Sequence, residues 1–461
     1  MTGEPDRSLA RWAGHHGLET LVLLTPDLNG QARGKHVAAR RLQGDPAVTI
    51  NLPDLALLLD YGSYPVPRPP GAHGWWPELA GACADRAFVA DPATARILPW
   101  AARSGLVIGE LADPASGRAY AFMPRALLAA QVARAAALGY TVRAALELEF
   151  TLHTAPPSTP GELPPPLWPA MRAWDVATQA RHAAVLEDLR ATLEAVGVGI
   201  ETWALEAGPG QVEMNLAARD ALAAADEAFL LKYAVKAWAA RHDRGVTFMA
   251  QAAPDGFGNG QHVHLSLWRD GANTFADPAR PGRPSAVMAA ACAGLLAHLD
   301  DYTLVWAPTT NAYRRFQPGH LVGLVRAWGE DNRSCAVRAL APTPAATRLE
   351  LRTPGADACP HLVLAAALAA ALDGLEQGLA PPPPVHGDAC AEPMLARVPA
   401  DLPAALARFE TSTAARRALG ADFVRFFAAG RRVEQTLLEA AAINAAAERA
   451  AWERARYFDT A

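Results

Sequence analysis

The sequence predicts an α+β fold, in which a small β-rich module precedes a larger domain of helices and antiparallel strands. Three observations support this fold class. The first hundred residues hold short apolar runs separated by turn residues, a helical pattern begins at Pro124, and long helical stretches then alternate with short strand-like pieces. We expect the two parts to divide after residue 105, which gives domains 1–105 and 106–461.

Composition excludes several classes of protein. The chain has 461 residues, of which 51% are hydrophobic and 19% charged, and a formal net charge of −5, as is typical of a folded globular protein. This balance provides no positive field for nucleic acid or an anionic membrane. No apolar stretch reaches the ~18–20 residues of a membrane span, and no export signal is visible. The five scattered cysteines form no CxxC pair and predict buried thiols in a reducing cytoplasm.

The elements are predicted in chain order from local signals. Asn29-Gly30 between two apolar runs predicts a hairpin. Pro124 and Gly139 bound a helix, and alternation from Leu146 to Phe150 predicts a strand with one apolar and one acidic face. The proline-rich segment 155–169 and the segment 271–284 predict loops. Further helical stretches are expected at Ala177–Gly197, Ala218–Arg244, Ser285–Leu299, Leu362–Gly378 and Ala404–Arg456.

Acidic residues recur in otherwise apolar strands. Glu147 and Glu149 are two apart, so both carboxylates point to the same side of a pleated strand. That side either faces solvent or meets a cation, and carboxylate oxygens suit Mg²⁺ or Mn²⁺. Glu206 and Glu213 lie on either side of the turn Gly208-Pro209-Gly210, where they are either surface residues or part of the same polar cavity.

Histidines and arginines accompany these acids. His262 and His264 share one face of a predicted strand, either as a hydrogen-bonded pair or as metal ligands. Glu350 stands between Arg348 and Arg352, which allows a structural ion-pair ladder as the alternative to a ligand role. Taken together, these residues favour one polar cavity that holds metal ions, a polyphosphate and a carboxylate substrate. The arginines concentrated in this region are Arg314, Arg315, Arg333, Arg338, Arg348 and Arg352.

A series of motifs resembles the glutamine synthetase superfamily. In chain order they read ELEF, EAGPGQVE, GNGQHVHLS, NAYRRFQPG, WGEDNRSCAVR and RLELRTPGADACPHL. The strings LNGQARGK and ILPW are similar to the small N-terminal β-grasp domain of that family, and WERARY is similar to its C-terminal helix. The resemblance implies a β-grasp domain followed by a catalytic domain whose curved antiparallel sheet is flanked by helices.

The resemblance also implies an activity and a set of cofactors. An enzyme of this type uses ATP and two Mg²⁺ or Mn²⁺ ions per site to phosphorylate the γ-carboxylate of glutamate, and a nitrogen nucleophile then captures the γ-glutamyl phosphate. By matching motifs, one ion belongs to Glu149, Glu206 and Glu213, and the other to Glu147, His262 and Glu350.

The remaining site residues also follow from matching motifs. Arg333, Arg338 and Arg348 are expected to face the phosphates, with Arg333 stabilising the transferring charge. Arg315 and Arg352 are expected to bind glutamate or its acyl phosphate. Glutamate is expected to approach the backbone closely at Gly258 and Gly260, and His264 and Ser266 are expected to border the nucleotide.

The chain departs from glutamine synthetases at the nucleophile site. Leu321 stands where those enzymes have a glutamate that takes a proton from ammonium, and Asp54 aligns only ambiguously with their second ammonium-site acid. The γ-glutamylpolyamine synthetase-like branch is similar in this respect. We therefore expect a glutamate–amine ligase, with glutamine synthesis from ammonium and a non-catalytic relative as the alternatives. For the group that deprotonates the amine, the sequence offers His320 and Glu330 as candidates.

Further expectations follow from the same resemblance. A cytoplasmic homo-oligomer is expected, as a hexameric ring or a dodecamer, with active sites between subunits. Its substrates are expected to be glutamate and a small amine, and we expect neither nucleic acid nor a membrane as a partner. Trp174, which follows the proline-rich loop, is expected either to wall the amine pocket or to pack that loop.

Overall fold

A computed structural model describes residues 8–42, 50–68, 74–76, 79, 83–113, 116–254, 256–280 and 282–461. Its first sheet has six strands, ordered β2-β1-β6-β4-β3, with β5 beside β6. The predicted hairpin at Asn29-Gly30 is confirmed, since it joins β1 to β2. Helix α1 (Ser8–His15) packs Leu9 and Ala13 against this sheet. The strands are β1 Thr20–Pro26, β2 Ala32–Ala38, β3 Asn51–Pro53, β4 Asp85–Ala90, β5 Arg96–Ile97 and β6 Ser104–Ala112.

A ten-stranded sheet forms the larger part of the fold. Its strand order is β14-β15-β16-β12-β7-β9-β8, with β10 and β11 beside β7 and β13 beside β12. The pairings that join β15, β16, β12, β7, β9 and β8 are antiparallel, as the sequence predicts. The strands are β7 Thr141–His153, β8 Ile200–Leu205, β9 Gln211–Leu216, β10 Arg219–Asp220, β11 Gly245–Thr247, β12 Gln261–Arg269, β13 Ala272–Asn273, β14 Val325–Glu330, β15 Cys335–Leu340 and β16 Arg348–Leu351.

One face of this sheet is apolar and carries the helices. Leu146, Leu148 and Phe150 alternate on the buried side of β7, as predicted. Helix α8 runs through the core, with every residue from Pro360 to Gly374 buried. The helices after α1 are α2 Pro124–Ala137, α3 Val176–Arg181, α4 Ala183–Ala195, α5 Ala221–Arg241, α6 Ala286–Ala297, α7 Leu299–Trp306, α8 Pro360–Glu376, α9 Leu402–Thr411, α10 Thr413–Leu419, α11 Ala421–Ala440 and α12 Ala446–Tyr457.

Glycines allow α6 and α8 to cross closely. A Cβ atom at Gly294 would lie 2.1 Å from the carbonyl oxygen of Ala370, and one at Gly374 would lie 2.0 Å from that of Ala290. Any larger residue at either position would force the helices apart. This contact fixes α8 beneath the sheet, so it helps to hold the strands that carry the polar residues.

Two predicted helical stretches are each divided into shorter helices. The stretch Ala404–Arg456 forms α9 to α12, because Ser412 caps α10 through a bond from the Ala415 amide and Gly420 adopts a φ of 89°. The stretch Ala177–Gly197 is divided at His182 into α3 and α4. The proline-rich segment 155–169 is a loop, and among the described residues of the segment 271–284 the short strand β13 is the only helix or strand.

The predicted domain boundary after residue 105 remains a prediction. Strand β6 starts at Ser104 and belongs to the first sheet along its whole length to Ala112. In the part of the chain that the structure describes, none of the helices combines the length and apolar character needed to cross a bilayer.

A buried ion-pair network ties the helices together around Asp373 of α8. Arg134 of α2 lies 2.5 Å from this carboxylate, Arg417 of α10 also pairs with it, and His298 Nε2 is 3.2 Å away. His298 Nδ1 also lies 2.9 Å from Asp301. Hydrogen bonding to Asp301 and Asp373 raises the pKa of His298 to about 9.

This shift makes helix packing pH-dependent. A histidine whose pKa is raised by folding stabilises the protein fully below its unfolded pKa of ~6.5, and this stabilisation is lost as the pH rises through about 9. We therefore expect His298→Asn to lower the free energy of unfolding by about 3 kcal/mol near pH ~6, and the difference from wild type to shrink toward pH ~10. Urea unfolding across this range measures it, with the exposed His15→Asn as the control. A difference independent of pH would contradict the expectation.

Candidate active site and metal centre

Strand register gathers the polar residues on the face opposite the core. Glu147 of β7 pairs with His262 of β12 on one side and with Asn215 of β9 on the other. Glu149 pairs directly with Glu213, and His264 pairs directly with Glu350. Because directly paired residues point to the same side of a sheet, these side chains share one face. The predicted convergence of these strands on one polar site is therefore visible in the pairing itself.

The first group of candidate ligands is Glu147, His262 and Glu350. One ligand atom from each lies within 4.8 Å of the others. His262 Nδ1 is 3.0 Å from Glu147 Oε2 and 3.7 Å from Glu350 Oε1. Glu350 and His262 are buried, and Glu147 is partly buried. These are the three residues that the sequence motifs assign to one of the two metal ions.

The second group consists of Glu149, Glu213 and His262, again within 4.8 Å of one another. Glu149 Oε2 accepts hydrogen bonds from the Gly260 amide at 2.8 Å and from Gln211 Nε2 at 3.0 Å. Asn215 Nδ2 donates to Glu213 Oε1 at 2.9 Å. His262 thus stands between the two groups, whereas the sequence motifs assigned it to one of them.

Glu206, the sixth predicted ligand, directly follows β8 and lies outside both groups. Burial, with the neighbouring Glu149 carboxylate, raises the pKa of Glu206 to about 7. Burial and the charges of Glu147 and Glu149 likewise raise the pKa of Glu213 to about 9. Hydrogen bonds from His262 and His264 instead hold the pKa of Glu147 well below its ordinary value, although burial alone would raise it.

These carboxylates fit divalent cations. Four partly buried glutamates repel one another, and neither Glu206 nor Glu213 has an ion-pair partner among the described residues. Oxygen-rich sets of this kind, with one imidazole, suit Mg²⁺ or Mn²⁺. The donor set therefore fits the metal ions that the sequence predicts.

Arginines neutralise the other end of the polar face. Arg338 Nη1 donates to Glu350 Oε2 at 2.9 Å, and Arg352 Nη1 donates to Glu350 Oε1. Arg348 Nε donates to His264 Nδ1 at 3.0 Å, so the other nitrogen of this ring, Nε2, carries the proton that it presents to Glu147 Oε1 at 2.6 Å. Each of these arginines thus lies beside a candidate ligand, and their predicted roles toward phosphates and glutamate remain predictions.

Arg315 is fitted closely against two glycines. A Cβ atom at Gly260 would lie 2.6 Å from Arg315 Nη2 and 3.0 Å from His262 Nε2, and one at Gly258 would lie 2.8 Å from Arg315 Cγ. Arg315 Nη1 donates to the Thr353 carbonyl at 3.0 Å, while its buried Nε has no hydrogen-bond partner. Burial lowers the pKa of this guanidinium to about 10. The two glycines thus make room for Arg315, and the predicted approach of glutamate to their backbone remains a prediction.

A cavity of 820 Å³ adjoins the acidic face. Glu147, His264, Ser266, Trp268 and Arg348 line part of it. Ser266 Oγ accepts a hydrogen bond from Trp268 Nε1 at 2.9 Å. The volume lies within the range of cofactor sites, and a tryptophan beside an arginine suits a planar base with phosphates.

Two residues that the sequence assigns to the site, Arg333 and Leu321, are exposed and lie outside the two groups of candidate ligands. Arg333 is exposed in the turn between β14 and β15, and its role in the site remains a prediction. Leu321 is 47% exposed on the loop before β14, with a φ of 54°, and its carbonyl accepts a bond from Arg352 Nη2 at 3.1 Å. The sequence analysis missed Gln211 and Asn215, which lie two residues on either side of Glu213 and therefore share its strand face.

The comparisons with known proteins agree with this geometry. A profile of the glutamine synthetase catalytic domain matches residues 121–452. The chain belongs to the glutamine synthetase family. It is 33% identical to a γ-glutamylethanolamide synthetase of Streptomyces coelicolor, over 96% of this chain and 93% of that one. It is 31% identical to a glutamate–isopropylamine ligase of a Pseudomonas species, over 96% of each chain.

A solved structure has the same architecture. The structure of GmaS in complex with ADP superposes on this chain with a TM-score of 0.79 at 29% identity, over 98% of this chain and 99% of that one. The family resemblance and the fold class expected from the sequence are confirmed, and both relatives named above are glutamate–amine ligases by name. Enzymes of the glutamine synthetase family use ATP and divalent metal ions, and the two groups described above are candidate sites for such ions.

The metal assignment predicts a loss of binding. Replacing Glu213 by Gln removes one anionic ligand atom while keeping a side chain that can bond Asn215, so we expect Mn²⁺ to bind at least about 10-fold more weakly. Mn²⁺ should also raise the unfolding temperature of the variant less than that of wild type. Isothermal titration and thermal unfolding measure these effects. Glu187→Gln, an exposed change on α4, is the matched control, and equal affinity in both variants would remove Glu213 from the site.

Proposed function

We propose that this protein is an ATP-dependent glutamate–amine ligase, which forms a γ-glutamyl amide from glutamate and a primary amine through γ-glutamyl phosphate. The observation that carries the proposal is the shared polar face of β15, β16, β12, β7 and β9, which places acids, a histidine and arginines beside an 820 Å³ cavity. Phosphorylation of a carboxylate brings two anions together. That step needs positive charge and fixed geometry, and this face can supply both.

The acidic residues have the role of ion ligands in this proposal. Glu147, His262 and Glu350 hold one ion, and Glu149, Glu206 and Glu213 hold the other. When bound, Mg²⁺ or Mn²⁺ supplies charge neutralisation of the phosphates. The arrangement of His262 between the two groups supports two ions per site.

The nucleotide and the glutamate occupy different ends of the face in this proposal. His264 and Ser266 border the nucleotide in the cavity, which Arg348 also lines. Arg348 and Arg338, which bonds Glu350, face the phosphates in this proposal, and Arg333 joins them from its turn. Their fixed positive charges oppose the repulsion between the phosphates and the incoming carboxylate. At the other end, Arg315 and Arg352 bind the glutamate or its acyl phosphate, close to the backbone of Gly258 and Gly260.

The amine is preferred over ammonium because of Leu321. A leucine can neither attract ammonium nor accept its proton, whereas an apolar side chain at the entrance is compatible with the carbon substituent of an amine. The two relatives above carry names that specify ethanolamine and isopropylamine. The choice among polyamines and monoamines stays open. The retained set of candidate ligands argues against a non-catalytic role.

The remaining expectations form part of the same proposal. A ring-shaped homo-oligomer with active sites between subunits rests on the family relationship. A cytoplasmic location is supported by the five cysteines, all of which are free thiols. The prediction that all five are buried is wrong, because Cys83 is exposed and Cys390 is only partly buried. The division into domains 1–105 and 106–461 is supported by the two separate sheets, although β6 continues past residue 105.

The proposed reaction predicts amine-dependent phosphate release. Incubation with glutamate, ATP and Mg²⁺ should release phosphate rapidly with ethanolamine or isopropylamine and at least about 10-fold more slowly with ammonium, because the site lacks an ammonium-binding carboxylate at position 321. A colorimetric phosphate assay with a panel of amines measures this, and mass spectrometry identifies the amide. Equal or faster turnover with ammonium would support glutamine synthesis instead.

The identity of residue 321 predicts a change of specificity. Leu321→Glu introduces the glutamate that glutamine synthetases are expected to have at this position. We therefore expect the ratio of kcat/KM for ammonium to kcat/KM for the amine to rise by at least about 10-fold. Leu321→Gln, which is similar in size but uncharged, is the control. An unchanged ratio in Leu321→Glu would show that this loop does not form the nucleophile pocket.

A further inference from the structure

His320 has an unusual position beside the proposed nucleophile entrance. Its imidazole ring stacks on Phe257, with the ring centroids 4.6 Å apart and the planes at 25°. The Nδ1 atom is buried and has no hydrogen-bond partner. A buried polar atom without a partner is costly, so it points to a ligand or to a chemical role.

The stack joins two loops that border the glutamate end of the polar face. Phe257 lies on the loop that leads through Gly258 and Gly260 into β12, and Arg315 packs against those two glycines. His320 lies on the loop before β14, next to Leu321, whose carbonyl is held by Arg352. Arg352 also bonds Glu350, a candidate metal ligand. The residue after His320 is therefore connected to that ligand through Arg352. Both loops therefore lie beside Arg315 and Arg352, the residues proposed to bind glutamate or its acyl phosphate.

The charges around this ring are few. Among the described residues, no carboxylate lies within ion-pair distance of His320, and Phe257 is the side chain in ring contact with it. Arg352 is the cation bound to the next residue, and Asp255, two residues before Phe257, lies outside the described residues. A neutral imidazole carries a lone pair on one ring nitrogen, and this lone pair can accept a proton. An alkylammonium has a pKa near ~10 and needs such an acceptor before it can act as a nucleophile.

On the basis of the proposed function, we propose that His320 is the general base that takes a proton from the alkylammonium substrate, and that Phe257 positions its ring. One N–H bond of the ammonium breaks and the proton passes to the imidazole. The freed lone pair forms the C–N bond at the γ-carbonyl carbon of γ-glutamyl phosphate, and the C–O bond to phosphate breaks. The departing phosphate keeps that electron pair and takes the second proton from nitrogen, and the imidazolium returns its proton to water. Glu330, the other candidate from the sequence, pairs with Arg283 on the exposed end of β14.

A comparison of two nucleophiles tests this role. Hydroxylamine is largely uncharged at neutral pH and needs no deprotonation before attack, whereas isopropylamine and ethanolamine do. We expect His320→Gln to lower kcat with either amine by about 10²–10⁴-fold, and with hydroxylamine by less than about 3-fold. The loss with the amines should shrink as the pH rises toward ~10, because more of each amine is then neutral. Phe257→Leu should lower kcat with the amines by about 10-fold and leave hydroxylamine unaffected.

The outcomes separate this proposal from the proposed function. Equal losses with amine and hydroxylamine, or no loss with the amines, would overturn the role of His320 while leaving the ligase intact. A wild-type protein that releases no phosphate with any of the three nucleophiles would overturn the ligase proposal itself. His15→Gln, at an exposed histidine of α1, is the matched control and should retain wild-type rates. Unfolding temperatures of the variants show whether they remain folded.

Discussion

The register between antiparallel strands is the constraint on which the site depends. Each strand of the large sheet alternates between an apolar face against the helices and a polar face, so a slip of β12 by one residue against β7 would turn His262 and His264 into the core. Burial of Leu146, Leu148 and Phe150 on the opposite face opposes that slip. The apolar packing beneath the sheet therefore sets the distances between carboxylates above it.

Charge is balanced differently at the two ends of the polar face. Glu350 is paired with two arginines, Arg338 and Arg352, so protein cations neutralise it. Glu206 and Glu213 have no such partner among the described residues, and their raised pKa values record the cost of crowding like charges in a buried space. At one end the carboxylate charge is thus neutralised by arginines of the chain itself, while at the other end neutralisation needs cations from solution. This asymmetry suits a reaction in which anionic phosphates arrive together with their metal ions.

Much of the site is predictable from the amino-acid sequence, and the residues that sequence reasoning missed have physical causes. Alternation placed Glu147 and Glu149 on one face, and the motifs identified the arginines around Glu350. Gln211 and Asn215 were missed because neutral amides carry no charge signal, although their spacing from Glu213 put them on its face. The breaks within the C-terminal helical stretch were not predicted, because alanine-rich periodicity continues through Gly420, where only the backbone conformation reveals the break.

By itself, the sequence determined the fold class and the family, and it predicts that Leu321 replaces an ammonium-site carboxylate, because alternation, motif spelling and residue identity are local properties of the chain. The tertiary structure decided which acids meet, that His262 lies between both groups, and that His320 stacks on Phe257. Periodicity assigns each side chain to a face of its own strand, but it does not specify the neighbouring strand or its register. Contacts between distant segments arise only when the whole core packs.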